Sequence, residues 1–433
     1  MSPLELHPLK PMALERDVSG GATRIHAAGP SFGHVSVRIS FHCGHTSCAP
    51  AAARAAWDLL ERGAGTHDRV RWLQAVEDLG AAIGYPLTRD TASITIDALE
   101  PHIEAACELA LDALCDPPDD PEELADWVDE TNEELDASRR EPEVLLSLGW
   151  ARAWWREPAW QRPSVGTREQ RARLTVEGIA AARRQLASAP ITVGVAGDDP
   201  SRWSGLVTRI VERIRLAHEA RSGIMEAPPP APEDGARRWL KGAEGAQAAL
   251  LGLGRAPSPE DPRWPAVTLH AMAFGGGFAS PLIARVRGDA GLSYDISWSA
   301  LSGRPTGRCE ARMSPAIDAI DETITLVEAV WHEQALSDDL VRLAKALLLG
   351  NHVAALETVA ARMRLAVHLD TLGLPIERLW ALPNAVLETS TAAVREAASA
   401  YGPGRQGWTW LATSPFAGAE VLSLPPDAVS GGA

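Results

Sequence analysis

Alternating hydrophobic and polar positions mark the first clear element of the chain. Val35, Val37, Ile39 and Phe41 alternate with polar side chains, which is the period of two expected for a strand with one buried face. Turn residues follow from Gly44, and the same rules of periodicity and capping predict further elements. These are helices over 51–62 and 68–79, a strand over 93–99, helices over 101–115 and 121–139, a helix opened by 174–177, and a strand over 191–197.

The second half of the chain repeats this order of elements. It predicts a strand over 248–253, a helix over 267–274, a long helical stretch over 337–371, a helix over 390–400 and a strand over 407–412. Both halves end with the same three segments in order, over 175–197 and 389–413. These are a helix with a polar N-cap, a short break, and a strand. A period of about 200 residues indicates duplicated domains and excludes a solenoid.

A proline-rich segment lies close to the middle of the chain. Clustered prolines with charge and glycine over 225–235 cannot join a packed helix or a central strand, so they predict a linker. We place the linker at 223–236, between an N-terminal domain over 1–222 and a C-terminal domain over 237–433. The fold class is α+β, with two homologous tandem domains that each have a largely antiparallel sheet covered by helices.

Charge and composition narrow the function classes. A net charge of −16 argues against a nucleic-acid partner, because phosphate backbones select basic surfaces. The first 16 residues lack the apolar run of a secretory signal, and no stretch of about 18 apolar residues predicts a membrane span. Five cysteines form an odd and sparse set, which fits a reducing cytoplasm.

The first half carries a spacing of helices and glycines that points to a known family. A strand, Gly44, an alanine-rich helix, the turn 63–66, a second helix and the segment 79–81 follow one another. This order is similar to the first domain of the pitrilysin/insulinase-type zinc peptidases, which include the mitochondrial processing peptidase. Catalytic members carry an inverted motif, H-x-x-E-H, on the alanine-rich helix. The resemblance implies a two-domain, clam-shell metallopeptidase fold.

The zinc motif itself is absent at the matching positions. The five motif positions are occupied by Arg54, Ala55, Ala56, Trp57 and Asp58. The motif needs two His to bind Zn²⁺ and a Glu as the general base, and Trp57 stands in place of that Glu. The family's third ligand, a Glu on a later helix, matches Glu134. One surviving carboxylate does not make a zinc site, so we expect no metal in this chain.

A second cluster of ligand-type residues lies at the end of the first predicted strand. His42, Cys43, His45 and Cys48 have close spacing. However, strand alternation places His42 and Cys43 on opposite faces, and no second cluster completes four ligands. We therefore interpret this segment as a strand end and loop.

The second half retains a denser match to the same family. The segment 274–282 contains a triple glycine, and the segment 285–294 contains arginines and ends in Gly-Leu-Ser-Tyr. This is similar to the family's second-domain signature, in which an Arg and a Tyr reach into the catalytic chamber. Arg287 and Tyr294 match those positions. Taken singly, Arg287 would be a residue at a helix end and Tyr294 would begin a strand.

The resemblance implies a role for the chain in proteolysis without its own zinc. The predicted function is the non-catalytic subunit of a heterodimeric zinc metallopeptidase, which binds a peptide substrate and donates Arg287 and Tyr294 to a site shared with a zinc-motif-bearing homologous subunit. The zinc is expected in that partner, and no autonomous activity is expected of this chain. The alternative is a pseudoenzyme scaffold or peptide-binding assembly protein that takes no part in cleavage.

Overall fold

The computed structural model describes most of the chain as two sheets with their helices. The described residues are 7–49, 51–65, 67–138, 140–158, 160–220, 236–241, 245–302, 307–333, 336–402 and 407–414. All of the predicted linker except Ala236 lies outside them, so the linker and the domain boundaries drawn from it remain predictions.

A six-stranded sheet forms the core of the first half, with the order β1-β2-β8-β3-β7-β6. Its strands are β1 (Leu14–Ser19), β2 (Ala22–Ala28), β3 (His34–Phe41), β6 (Ala82–Gly84), β7 (Ala92–Leu99) and β8 (Ile191–Gly197), and a separate two-stranded ribbon is formed by β4 (Gly63–Ala64) and β5 (His67–Asp68). The helices of this half are α1 (Ala52–Asp58), α2 (Arg69–Asp78), α3 (Ile103–Cys115), α4 (Pro121–Ser138), α5 (Pro142–Trp154), α6 (Arg168–Arg171), α7 (Val176–Ala187) and α8 (Ser204–Ala217).

A five-stranded sheet forms the core of the second half, with the order β11-β12-β10-β13-β9. Its strands are β9 (Arg237–Lys241), β10 (Leu250–Arg255), β11 (Ile296–Leu301), β12 (Arg308–Met313) and β13 (Thr409–Ser414). The helices are α9 (Trp264–Gly275), α10 (Pro281–Ile283), α11 (Ile320–Glu333), α12 (Asp338–Ala355), α13 (Val359–Thr371), α14 (Arg378–Glu388) and α15 (Thr391–Ala400).

Strand order and direction confirm the fold class and the repeat within it. The parallel pair β2–β8 corresponds to the parallel pair β13–β9. The antiparallel run β8-β3-β7-β6 corresponds to β13-β10-β12-β11. The terminal helices match as well, because Thr175 caps α7 by accepting from Gly178 N and Ser390 caps α15 by accepting from Ala393 N. The predicted polar caps are therefore present in both halves.

The predicted strand at 35–41 is buried on both faces, which corrects the expectation of one buried face. Val37 and Ile39 lie in the core beneath the first-half helices, but Ser36 and Ser40 on the opposite face are also buried. A helix from the other half, α13, packs across β8, β2 and β3. Alternation in the sequence could not report this cover, because a small polar residue can lie beneath a packed helix when its hydroxyl is hydrogen-bonded.

The two halves exchange equivalent helices. Helix α13 of the second half packs on the first sheet, where Met363 and Val367 belong to the same hydrophobic cluster as Ile25 and Ala27. Helix α5 of the first half packs on the second sheet, where Leu145 and Leu146 share a cluster with strand residues of that sheet. These two helices occupy equivalent places in the repeat, between matched strands and matched terminal helices.

The predicted helical stretch over 337–371 is two helices. Helix α12 ends at Ala355, and Thr358 begins α13 by accepting a hydrogen bond from Ala361 N. The prediction of one stretch was wrong because alanine and leucine run through the break. The cap at Thr358 redirects the chain, so that α12 stays on its own half and α13 crosses to the other sheet.

Candidate functional site

The helix that would carry the zinc motif is held by side chains that bind one another. On α1, Arg54 Nε donates to Asp58 Oδ2 over 2.8 Å, one helical turn away. The indole Nε1 of Trp127, on α4, donates to the same oxygen over 3.1 Å. Asp58 therefore links α1 to α4 and is engaged by two donors.

Trp57, at the position of the general base, is a core residue. Its side chain is completely buried, and its Nε1 donates to the carbonyl oxygen of Ser93 over 3.1 Å. Its ring packs edge-to-face against Phe41, with 5.7 Å between the centroids. A tryptophan held in this way packs the helix against the first sheet and carries no group that could act as a base.

Asp58 and Glu134 line one polar cleft of about 280 Å³ between α1 and α4. The structure thus brings together two of the positions selected from the sequence. The remaining lining residues have no sequence signal that marks them as a group; they are Glu61, Arg62, Arg69, Leu73, Trp127, Glu130 and Thr131.

Charges within this cleft are mostly neutralised in pairs. The guanidinium of Arg62 is nearly buried and pairs with Glu123 over 3.3 Å and with Glu130. Glu61 has its pKa raised by burial and then by the nearby charge of Asp58. The lining holds the carboxyl groups of Asp58, Glu61, Glu130 and Glu134 against the guanidinium groups of Arg62 and Arg69, so a small excess of acid remains after pairing.

These residues do not fit a zinc ion. Arg54 stands where a His would ligate and is itself a cation, while Asp58 already accepts from Arg54 and Trp127. Within the described ranges, no group of three or more His, Cys, Asp or Glu side chains is placed to hold a metal. We therefore derive no step through zinc in this chain.

The His/Cys segment after β3 is a strand end and a short 3₁₀ turn, as its alternation indicated. His42 Nε2 lies 2.8 Å from Thr192 Oγ1, beneath the crossing helix α13. Burial raises the pKa of the Cys43 thiol and raises that of Cys48 to about 12. His45 has its pKa lowered to about 4 by burial and by the neighbouring Arg89 and Arg54. Inert thiols and a neutral imidazole describe a structural segment.

Arg287 and Tyr294 lie side by side on the surface of the second half. Arg287 belongs to a π-helical segment (Ala284–Asp289), and Tyr294 precedes β11. The guanidinium carbon of Arg287 is 5.2 Å from the Tyr294 ring centroid and 5.7 Å from that of Phe278. Tyr294 is 78% exposed and Phe278 is 83% exposed. We call Phe278, Arg287 and Tyr294 the cationic–aromatic cluster.

Glycines before this cluster set its position. A side-chain carbon at Gly275 would meet Trp298, and one at Gly277 would lie 2.9 Å from Leu347 of α12. The chain therefore runs close to α12 before Phe278. Phe278 was part of the matched segment, but no sequence pattern assigns it a role; its contact with Arg287 appears only in the structure.

Solved structures of peptidases superpose on nearly the whole chain. An inactive domain of an M16 peptidase from Pseudomonas fluorescens superposes with a TM-score of 0.83 at 18% identity, over 94% of this chain and 99% of that one. A protease from Helicobacter pylori superposes with a TM-score of 0.79 at 14% identity, over 93% and 99% of the two chains. The chain has the M16 peptidase fold.

The M16 fold extends over nearly all of the chain, so the predicted pitrilysin-type architecture is confirmed. The periplasmic protease PqqL from Escherichia coli superposes with a TM-score of 0.74 at 17% identity, over 95% of this chain and 47% of PqqL. This chain therefore spans about half the length of PqqL. No protein-family model and no curated protein matches the sequence. Across the described ranges, no helix of this M16-fold chain is long and apolar enough to cross a membrane.

Proposed function

We propose that the chain is the non-catalytic subunit of a heterodimeric zinc metallopeptidase. A homologous partner subunit with an intact zinc motif supplies the metal and the general base. This chain binds the peptide substrate and donates Arg287 and Tyr294 to the shared site. The complex works in the cytoplasm, in line with the cysteine content of the chain.

The observation that carries this proposal is the combination of two features in one chain. The side chains at the zinc-motif positions of α1 are engaged by neighbouring groups, and Arg287 and Tyr294 form an exposed pair. Arg54, Trp57 and Asp58 are hydrogen-bonded to neighbouring groups. Arg287 and Tyr294 are exposed to solvent, and the guanidinium carbon of Arg287 lies 5.2 Å from the Tyr294 ring centroid. A protein scaffold alone has no need of this surface pair, whereas a shared active site does.

The chemistry of the pair suits a peptide carbonyl. A guanidinium is always charged, and a phenol donates one hydrogen bond, so both can stabilise an oxyanion that forms on a scissile carbonyl. The cation–π contact contributes about 0.5–1 kcal/mol at an exposed site. That contact holds the two donors together before substrate arrives, which lowers the cost of ordering them.

Cleavage of a peptide by mixed subunits tests the proposal. Zinc content and cleavage rate are measured for this chain alone, for a zinc-motif homologue from the same source, and for the mixture. We expect this chain alone to be metal-free and inert and the mixture to cleave. Arg287→Ala and Tyr294→Phe should each lower kcat of the mixture about 100-fold, the usual effect of losing one oxyanion donor.

Matched variants separate a catalytic effect from loss of assembly. Arg285→Ala removes an exposed arginine of the same segment that pairs with Glu333, and Tyr401→Phe removes a phenol distant in sequence; both should cleave at the wild-type rate. Sedimentation reports whether each variant still binds the partner. A mixture no faster than the zinc-motif subunit alone would favour the scaffold alternative, as would wild-type rates for both Arg287→Ala and Tyr294→Phe.

A further inference from the structure

Helix α13 crosses the first sheet at a glycine, and this contact places an arginine beside the helix. A side-chain carbon at Gly194 of β8 would lie 2.6 Å from Val367 Cγ2 and would also collide with Met363. In the β3–β8 register, Gly194 is paired with Arg38. Paired residues point to the same face of a sheet, so Arg38 extends along the side of α13.

Two further basic side chains lie on the adjacent face of that helix. Arg364 directly follows Met363, and His368 directly follows Val367. The two basic residues are four positions apart, so they share one helical face. Both are exposed, while Arg38 is partly buried. Arg38, Arg364 and His368 thus converge from two halves of the chain; we call them the cationic recess.

In the part of the chain that the structure describes, no carboxylate pairs with the cationic recess. Arg38 donates to the hydroxyls of Ser40 and Ser93, over 3.2 and 3.3 Å. Among the described residues, neither Arg364 nor His368 has an ion pair with an acid. The pKa of Arg38 is lowered by burial and then by Arg364, and the pKa of His368 is lowered by burial and then by Arg38.

Two acids near the recess are already engaged. Asp370, two residues after His368 on α13, accepts from Arg16 Nε over 2.8 Å and from Thr192 Oγ1. Asp97, on the strand next to Arg38, accepts from Ser36 Oγ. The like charges of Arg38 and Arg364 repel one another, and a bound anion would remove that repulsion. Arg364 and His368 are exposed, so a ligand can reach them from solvent.

We propose that Arg38, Arg364 and His368 bind a carboxylate of an acidic peptide. This inference rests on the proposed peptide-binding function and adds the substrate class to it. The carboxylate accepts from Arg38 and Arg364 in charge-assisted hydrogen bonds, and His368 adds a donor from the same helix. An Asp or Glu side chain and a free C-terminus present the same group, so the test distinguishes these two sources.

Fluorescence anisotropy with the full chain measures binding of three labelled decapeptides. The first alternates Ala and Glu and has an amidated C-terminus, the second has Gln at each Glu position, and the third is the Gln peptide with a free C-terminus. We expect the Glu peptide to bind at least 10-fold more tightly than the amidated Gln peptide, and more weakly as salt is added. Tight binding of the third peptide alone would assign the recess to a C-terminal carboxylate.

Variants assign the effect to the recess. Arg364→Gln, on the exposed face of α13, should reduce binding of the preferred peptide about 10-fold without changing the melting temperature. Arg38→Lys keeps a charge near the sheet and should lose less affinity than Arg38→Gln. Arg342→Gln on α12, an exposed arginine paired with Asp339, should bind as wild type.

The outcomes distinguish this inference from the proposed function. Equal binding of all three peptides, no binding of any, or preference for acid that survives Arg364→Gln and Arg38→Gln would overturn the cationic recess. Acid-selective binding that these variants abolish, in a chain that does not assist cleavage by a zinc-motif subunit, would leave the recess in place and refute the shared active site.

Discussion

At the zinc-motif positions of α1, side chains form hydrogen bonds with one another and with α4. Asp58 accepts from Arg54 of its own helix and from Trp127 of α4, so that this carboxylate and the indole N–H of Trp127 join α1 to α4. Trp127 is almost fully buried, and a buried indole N–H needs an acceptor. The hydrogen bond between Trp127 and Asp58 therefore contributes to the stability of the first half.

Asp58→Ala should lower the free energy of unfolding by about 1–3 kcal/mol, because it leaves the Trp127 Nε1 and the Arg54 guanidinium without their acceptor. Asp58→Asn retains an acceptor oxygen and should lose less. Urea titration followed by tryptophan fluorescence measures both. An Asp58→Ala protein as stable as wild type would show that this carboxylate is not a structural link.

His270 provides a pH-dependent contribution to stability. It lies in an aromatic cluster, stacked on Phe274 at 5.5 Å and edge-on to Trp331 at 5.0 Å. Complete burial lowers its pKa from 6.5 to about 3, so the folded protein keeps the ring neutral. The unfolded chain takes up a proton below about pH 6.5, and the free energy of unfolding therefore falls as the pH drops through this range.

His270→Phe should remove about 1.5 kcal/mol of the stability difference between about pH 6.5 and about pH 5. The unpartnered Nε2 is lost with the imidazole, and a small pocket of about 10 Å³ lies beside the ring. Urea titrations of both proteins at the two pH values provide the measurement. Parallel pH dependences would mean that His270 does not contribute.

At the scale of elements, the crossing helices depend on glycine at their points of closest approach. Gly194 lets Met363 and Val367 of α13 lie on β8, and Gly149 of α5 lies against Leu240 of β9, where a side-chain carbon would meet Leu240 Cδ2 at 2.8 Å. Helix α13 on the first sheet and helix α5 on the second sheet are thus accommodated in the same way. At each contact, a glycine on one of the two surfaces has no side chain that would separate them.

Gly194→Ala should cost about 1–3 kcal/mol, because α13 must shift away from the sheet. Met363→Ala in the same chain removes one of the colliding groups, so the double variant should lose less than the sum of the single variants. At Gly205 of α8 an added side-chain carbon would lie 3.8 Å from Arg209 Nη1, an ordinary contact, so Gly205→Ala should be neutral or slightly stabilising. Additive losses in the cycle would contradict a direct contact.

At the scale of the whole molecule, helix exchange makes each half incomplete. The first sheet presents Ile25, Ala27 and Ala196 to a helix of the second half, and the second sheet presents Leu251 and Leu411 to a helix of the first. The cross-connection also includes the Arg16–Asp370 pair, whose acid is almost fully buried. Neither half can cover its sheet with its own helices alone.

Cutting the chain within 223–236 should therefore give fragments that need each other. Expressed separately, 1–222 and 237–433 should bind a hydrophobic dye and unfold without a cooperative transition, because each exposes an uncovered sheet face. Expressed together, they should co-purify and unfold in one transition. Two separately stable fragments with no dye binding would show that the exchanged helices are dispensable.

Sequence alone determined the strand at 35–41, the terminal helix of each half, the duplication and the loss of the zinc motif. These are local properties: Val35 to Phe41 show their period within seven residues, Ser390 caps its helix from its own position, and Arg54 cannot ligate a metal wherever it lies. The match at Arg287 and Tyr294 was equally visible, because it depends on residue types at fixed spacing.

Tertiary structure alone decided what those elements cover and which side chains meet. The burial of Ser36 beneath α13, the contact of Asp58 with Trp127 and the convergence of Arg38 with Arg364 all join residues far apart in the chain. Such contacts depend on how two sheets exchange helices. No local pattern encodes that exchange, because the same amphipathic helix can pack on the sheet of either half.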